Sequence, residues 1–109
     1  MKSTIEQRNP FRNWHESQQC FGHYSTDETG LEISAKNPRA CRWCALGWLK
    51  FMSVDPQLVA LFNQWCADTL GGKSVAELND VDGWSPKTFE AAWNRFMKEA
   101  IESSMHSTF

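Results

Sequence analysis

The sequence has no long apolar run. Nothing in its 109 residues approaches the roughly 18 consecutive apolar positions of a membrane span. The stretch from Met1 to Pro10 is polar and lacks the apolar core of a signal peptide. Both absences lead to the expectation of a cytoplasmic protein with no membrane partner. An excess of one charge is lacking too. A net charge of −2 and a pI near 5.9 are unlike the strongly basic balance of a non-specific nucleic-acid binder. They also fall short of the dense acidity of a DNA mimic. No repeat, low-complexity tract or long linker divides the chain, so one domain is expected over 1–109. Residues 1–12 read as a loose arm, interrupted by Asn9 and Pro10, and 103–109 as a frayed tail.

Catalytic motifs are missing as well. There is no G-x-S-x-G nucleophile turn. Gly71-Gly72-Lys73-Ser74 lacks the upstream glycine of a phosphate loop and follows a helical pattern rather than a strand. Glu77, Asp80 and Asp82 cluster without EF-hand spacing and read as solvated acids on a capped turn. These absences exclude the common motif-bearing enzyme classes and lead to the expectation of a non-enzymatic protein without a cofactor.

What is there is aromatic. Six Trp and seven Phe accompany a single Tyr. With 41% hydrophobic and 22% charged residues, the balance is globular rather than disordered. A chain of this length buries roughly 65% of its unfolded surface, enough for one core.

The helix signals are local and repeated. Asn37 followed by Pro38 reads as a cap and first position, opening a helix to about Met52. Its apolar stripe is Cys41, Cys44, Ala45, Trp48, Leu49 and Met52, and Gly47 within it suggests close backbone packing. Asp55 and Pro56 open a second helix carrying Leu58, Leu61, Phe62, Trp65 and Thr69, stopped by Gly71-Gly72. Ser74 and Glu77 form a capping box over a short helical turn. Ser85 and Pro86 open the last helix, with Phe89, Ala92, Trp93, Phe96, Ala100 and Ile101 at helical spacing. Residues 18–34 read as a hairpin around Asp27–Gly30. The expected class is mostly α: three main helices, a short helical turn and a small N-terminal β-hairpin, or α+β with a minimal sheet.

Two constellations suggest sites. Cys20-x2-His23 followed by Cys41-x2-Cys44 has the paired spacing of a structural zinc site. Its competing reading places Cys41 and Cys44 as small core residues of a helix, and zinc is therefore the alternative rather than the expectation. A thiol-dependent enzyme using Cys20 and His23 is a further alternative. The second constellation is basic and aromatic. Arg8, Arg12, Lys36, Arg39, Arg42 and Lys50 lie in the N-terminal half. On the expected first helix, Arg39, Trp43, Leu46 and Lys50 share one face. Trp and Arg are enriched at binding hot spots. Whether Trp43 is exposed there or packed beneath the hairpin is evenly balanced. Trp84, in a loop, is a further candidate contact with the same ambiguity.

Arg42-Trp43-Cys44-Ala45-Leu46-Gly47, with Leu78-Asn79-Asp80 and Gly83, resembles a family of short uncharacterised actinobacterial and bacteriophage proteins. These share a W-C-x-G-like segment, an R-W-C-A-x-G helix and an N-D turn before a final helix. The first segment corresponds to Gln19-Cys20-Phe21-Gly22, with Gln in place of Trp. Trp48 replaces a small residue, and Cys41 stands where the family has an aliphatic one. The similarity spans about residues 12–101 and brings no catalytic residues. It implies a phage- or mobile-element-encoded module that binds and inhibits or modulates a host protein, for example a bacterial defence or CRISPR effector. The candidate partner-binding residues are Arg39, Arg42, Trp43, Lys50 and Trp84. The alternative is a zinc-stabilised structural or nucleic-acid-contacting domain.

Overall fold

The computed structural model of the chain describes residues 9–102. Among them the chain is mostly helical with a minimal sheet, as its class was expected. The elements are a 3-10 turn (Glu16–Gln18), β1 (Ser25–Thr26), β2 (Arg42–Trp43), α1 (Ala45–Phe51), α2 (Pro56–Thr69), α3 (Val75–Asp80) and α4 (Pro86–Phe96). A π-helical turn over Met97–Glu102 extends α4.

Local side-chain chemistry starts three of the four helices where expected. The Asp55 carboxylate accepts the Gln57 N–H at 2.9 Å, and Pro56 occupies the first turn. Ser74 and Glu77 exchange the two bonds of a capping box. Ser85 accepts the Thr88 N–H ahead of α4. Helix α2 ends in a Schellman arrangement, in which the Gly72 N–H reaches the Ala67 carbonyl at 2.8 Å and Gly71 takes a φ of 79°.

The first helix is a correction. It begins at Ala45, not Pro38. Asn37 does accept the Arg39 N–H at 2.9 Å, but it caps only a turn. The Cys41 N–H then bonds to the Thr26 carbonyl at 3.0 Å, and residues 42–43 pair antiparallel with 25–26. Sheet pairing captures the stretch that helical spacing claimed. Helix α1 is capped instead by Cys44, whose Sγ accepts the Gly47 N–H at 3.4 Å. The stripe joining Cys41, Cys44 and Met52 therefore does not form, and Met52 is exposed.

The expected turn at Asp27–Gly30 is present. The Asp27 carboxylate accepts the N–H groups of Thr29 and Leu31, and Thr26 faces Glu32 across it. The strand that completes the sheet, however, is Arg42–Trp43.

The core is an aromatic stack. Phe11 lies 5.5 Å from Phe89, 5.9 Å from Trp93 and 6.1 Å from Phe62. Trp14 stacks on Trp48 at 5.9 Å. Such pairs contribute about 0.5–1.5 kcal/mol each beyond their area burial. Residues 9–12 of the expected loose arm belong instead to the folded body. Asn9 bonds to the Glu90 carbonyl and the Asn94 side chain, and the Pro10 carbonyl accepts the Trp48 Nε1–H at 2.6 Å. The remainder of the arm and the 103–109 tail lie outside the described residues.

On α2 the buried residues are Phe62, Trp65 and Cys66, while Leu61 of the expected stripe is 53% exposed. Leu61→Lys is accordingly expected to change stability by no more than about 0.5 kcal/mol in urea denaturation.

Candidate functional site

Three segments named by the family-like motifs meet at one buried residue. Asn79 is fully buried on α3. Its Oδ1 accepts the Gln19 side-chain amide at 2.9 Å and the Ala45 N–H at 3.2 Å. Its Nδ2 donates to the Cys20 carbonyl at 3.0 Å and to the Asp80 carboxylate at 2.7 Å. Gln19 also donates to the Trp84 carbonyl at 2.7 Å. This knot ties the first segment, the start of α1, α3 and the α3–α4 loop together. Among the described residues no buried side-chain polar atom lacks a partner. Gln19, Cys20, Ala45 and Asn79 of the motifs therefore tie the fold together, while Arg42 is exposed and Leu46 is half-buried.

The cysteines follow the same pattern. Cys20 Sγ lies 3.3 Å from the His23 carbonyl and Cys44 Sγ caps α1. The His23 ring turns away, with Nδ1 at 3.3 Å from Glu32. Cys41 is half-buried beside β2 and forms no pair with Cys44 across a helix face. Among the described residues no three His, Cys, Asp or Glu side chains gather as a metal site.

Burial pushes the Cys20 thiol up to about 11, and neighbouring Cys44 adds to the shift. Burial likewise raises Cys44, and pushes Cys66 to about 12. Those thiols stay protonated at neutral pH, opposite to the shift a nucleophilic cysteine needs. In the folded protein at neutral pH, Cys41 is expected to react first with a thiol-specific chromogenic reagent. Cys20, Cys44 and Cys66 should follow only on denaturation or strongly alkaline titration. Rapid modification of Cys20, located by peptide mapping, would contradict its burial.

The acids are engaged separately. Glu77 belongs to its capping box, Asp80 to Asn79, and Asp82 to Lys73 at 2.9 Å.

An open concave feature among the described residues lies elsewhere. A groove of about 720 Å³ runs between the 32–35 segment and the elbow of α1 and α2. Ile33, Ala35, Leu46, Val54 and Val59 make it apolar, and Glu32 and Lys50 bring its charges. Leu46 and Lys50, four residues apart, share one face of α1. The Lys36 Nζ–Ser53 Oγ bond at 2.6 Å ties the two walls beside Ala35 and Val54. Ser25 lines the inner side, and its hydroxyl donates to the Ile33 carbonyl.

The sequence-derived contact residues do not form one helix face. Arg39 sits in a turn, Arg42 in β2 and Lys50 on α1, all exposed. Trp43 is a correction. It is 5% exposed, donates Nε1–H to the Ala35 carbonyl at 2.9 Å, and packs on Trp48 and Phe51. It supports the groove wall from beneath. Trp84 is half-buried against Phe89 and does not line the groove. Sequence reasoning missed the groove because Ile33, Ala35, Val54 and Val59 come from separate elements. Its one readable trace was the Leu46–Lys50 spacing.

No family model, curated protein or solved structure matches the chain. Among the described residues no helix is long and apolar enough to cross a membrane.

Proposed function

We propose that the chain is a non-enzymatic protein-binding module that docks on a host protein and inhibits or modulates it. The observation that supports this reading is an open apolar groove bordered by the exposed Lys50, with Arg39 and Arg42 as further exposed cations of the chain. Arg39, Arg42 and Lys50 are exposed, and none of them makes an ion pair among the described residues. In a chain of net charge −2, these are three exposed cations without a carboxylate partner among the described residues. Cations of this kind steer association and select acidic partners. The apolar surface next to Lys50 supplies the desolvated centre that a hot spot needs. Phage or mobile-element origin, with a bacterial defence or CRISPR effector as target, is the particular form that the motif resemblance suggests.

The test is paired affinity capture from host lysate. Tagged wild-type chain and the Arg39→Glu/Arg42→Glu variant are compared after circular dichroism shows both folded. One protein or complex recovered stoichiometrically with wild type and lost with the variant is the expected result. Equal recovery by the folded variant, or no partner at all, would overturn the reading. Trp43→Ala is unsuitable here, because it removes a buried side chain.

A further inference from the structure

The backbone along the groove is an unfinished sheet. Two bonds flank the pair Thr26 and Glu32: the Asp27 N–H to the Leu31 carbonyl at 3.0 Å, and the Ile33 N–H to the Ser25 carbonyl at 3.1 Å. Residues placed between such bonds in an antiparallel pair turn their own N–H and C=O away from one another. The Thr26 carbonyl turns toward β2 and takes the Cys41 N–H. The Glu32 groups turn the other way, onto the outer edge. Among the described residues neither the N–H nor the carbonyl of Glu32 has a partner, and the Ser34 N–H has none. Glu32 and Ser34 both line the groove. A short open edge therefore runs beside an apolar trough floored by Leu46, Val54 and Val59.

The charges choose the occupant. The Glu32 carboxylate is already faced by the His23 ring at 3.3 Å. Lys36 is held by Ser53. Lys50 is left as the groove charge that makes no ion pair or side-chain hydrogen bond among the described residues. We infer that the groove takes an extended segment of the partner protein, added as a strand along Glu32–Ser34, with alternate apolar side chains in the trough and an acidic side chain on Lys50. Strand addition uses main-chain bonds for affinity and pockets for alternate side chains for selectivity. The open backbone groups supply the first and the trough supplies the second. This inference rests on the protein-binding reading and names the chemistry of the bound segment.

The probe is a display library of random linear peptides, selected against the folded full-length chain. Enriched peptides are expected to alternate apolar residues and to carry Asp or Glu. The strongest is synthesised and titrated. Lys50→Glu should weaken it about tenfold, because a close opposite-charge pair becomes a like-charge pair. N-methylation of the peptide amide that meets the Glu32 carbonyl should abolish binding, and N-methylation of the amides on either side should spare it, since only alternate amides face the edge. Val59→Glu, a half-buried groove position, provides a second protein variant and should also weaken the peptide. Absence of any enriched peptide, insensitivity to Lys50→Glu, or methylation effects without alternation would overturn the inference. Loss of captured host partner on Arg39→Glu/Arg42→Glu would still stand in those cases, so failure here is distinct from failure of the binding-module reading.

Discussion

Replacing Asn79 by leucine is expected to destabilise the protein by about 3–5 kcal/mol, read from urea denaturation followed by tryptophan fluorescence. Leucine is similar in volume, so the effect is one of hydrogen bonding rather than of a cavity. The fully buried Asn79 serves the Cys20 carbonyl, the Ala45 N–H, the Gln19 amide and the Asp80 carboxylate. Leucine leaves the Cys20 carbonyl and the Ala45 N–H with no replacement at that site, while the half-buried Gln19 amide keeps its bond to the Trp84 carbonyl. Each stranded buried group costs about 1–3 kcal/mol. Relaxation and water entry reduce the sum, which sets the lower bound. Asn79→Asp separates the two halves of the knot. Its carboxylate still accepts from Gln19 and Ala45, but it places an acceptor against the Cys20 carbonyl and a second negative charge beside Asp80. It should therefore be destabilising at pH 7 and recover as the pH falls. Protonation restores a donor, and the folded-state carboxyl is held above its unfolded value by those neighbours. A leucine variant within about 1 kcal/mol of wild type would mean that water serves the same groups and that Asn79 is not the tie.

The knot also shows why parts of the fold were legible in the sequence and parts were not. Asp55-Pro56, Ser74 with Glu77, and Ser85-Pro86 declare helix starts through bonds to a backbone two or three residues away. Chemistry of that range is complete within a short window of sequence. Asn37-Pro38 offered the same signal and was satisfied locally, yet no helix followed. What decided residues 41–44 was a carbonyl at Thr26 and another at Tyr24, which take the N–H groups of Cys41 and Cys44. Tertiary pairing of this kind overrides spacing and has no local signature. The true cap of α1 was hidden for a different reason, because a cysteine sulfur serves where Ser, Thr, Asp or Asn is usual. Phe11 was hidden by its setting. It sits beside Asn9 and Pro10 in a stretch without periodicity, but Asn9 pins that stretch to α4 and puts the ring in the core.

The candidate site was legible to a similar degree. Arg39, Arg42 and Lys50 were readable as exposed cations, whereas the groove beside Lys50 was not, since it is built from a strand edge and two helices. Trp43 was misplaced together with its helix. On the expected helix its exposure and its packing beneath the hairpin were evenly balanced. On β2 its indole lies under Ala35, so the residue that looked most like a hot spot is part of the scaffold.

Gly47→Ala is the second large effect, and here two magnitudes oppose one another. Gly47 is interior to α1 with ordinary helical backbone, where alanine is favoured by about 1 kcal/mol. Propensity alone predicts a more stable protein. A Cβ at Gly47, however, would stand 1.8 Å from the Tyr24 carbonyl oxygen and 2.7 Å from its carbon. These are backbone atoms, so no rotamer change relieves the contact. Either α1 or the strand must move by more than an ångström. That movement strains the Cys44 N–H to Tyr24 carbonyl bond at 3.0 Å and the Ser25–Trp43 register behind it. Overpacking against flexible neighbours costs about 1–3 kcal/mol, and a backbone wall places this site at or above the top of that range. The net expectation is a loss of at least about 2 kcal/mol, or a melting-temperature fall of roughly 8–16 °C for a domain of this size. Gly30→Ala is the comparison. Nothing lies within 4 Å of a Cβ there, but its φ is +90°, so its cost is conformational and about 1–2 kcal/mol. A melting temperature raised in Gly47→Ala would show that propensity governs the site, and that α1 does not rest on the Tyr24 carbonyl. A fall larger than that of Gly30→Ala identifies the contact between helix and strand, rather than glycine's flexibility, as what the position requires. The same contact sets the wall of the groove, because Tyr24 and Ser25 line it opposite Leu46 and Lys50. Loss of stability in Gly47→Ala should therefore be accompanied by loss of groove-selected peptide binding at temperatures where the variant is still folded.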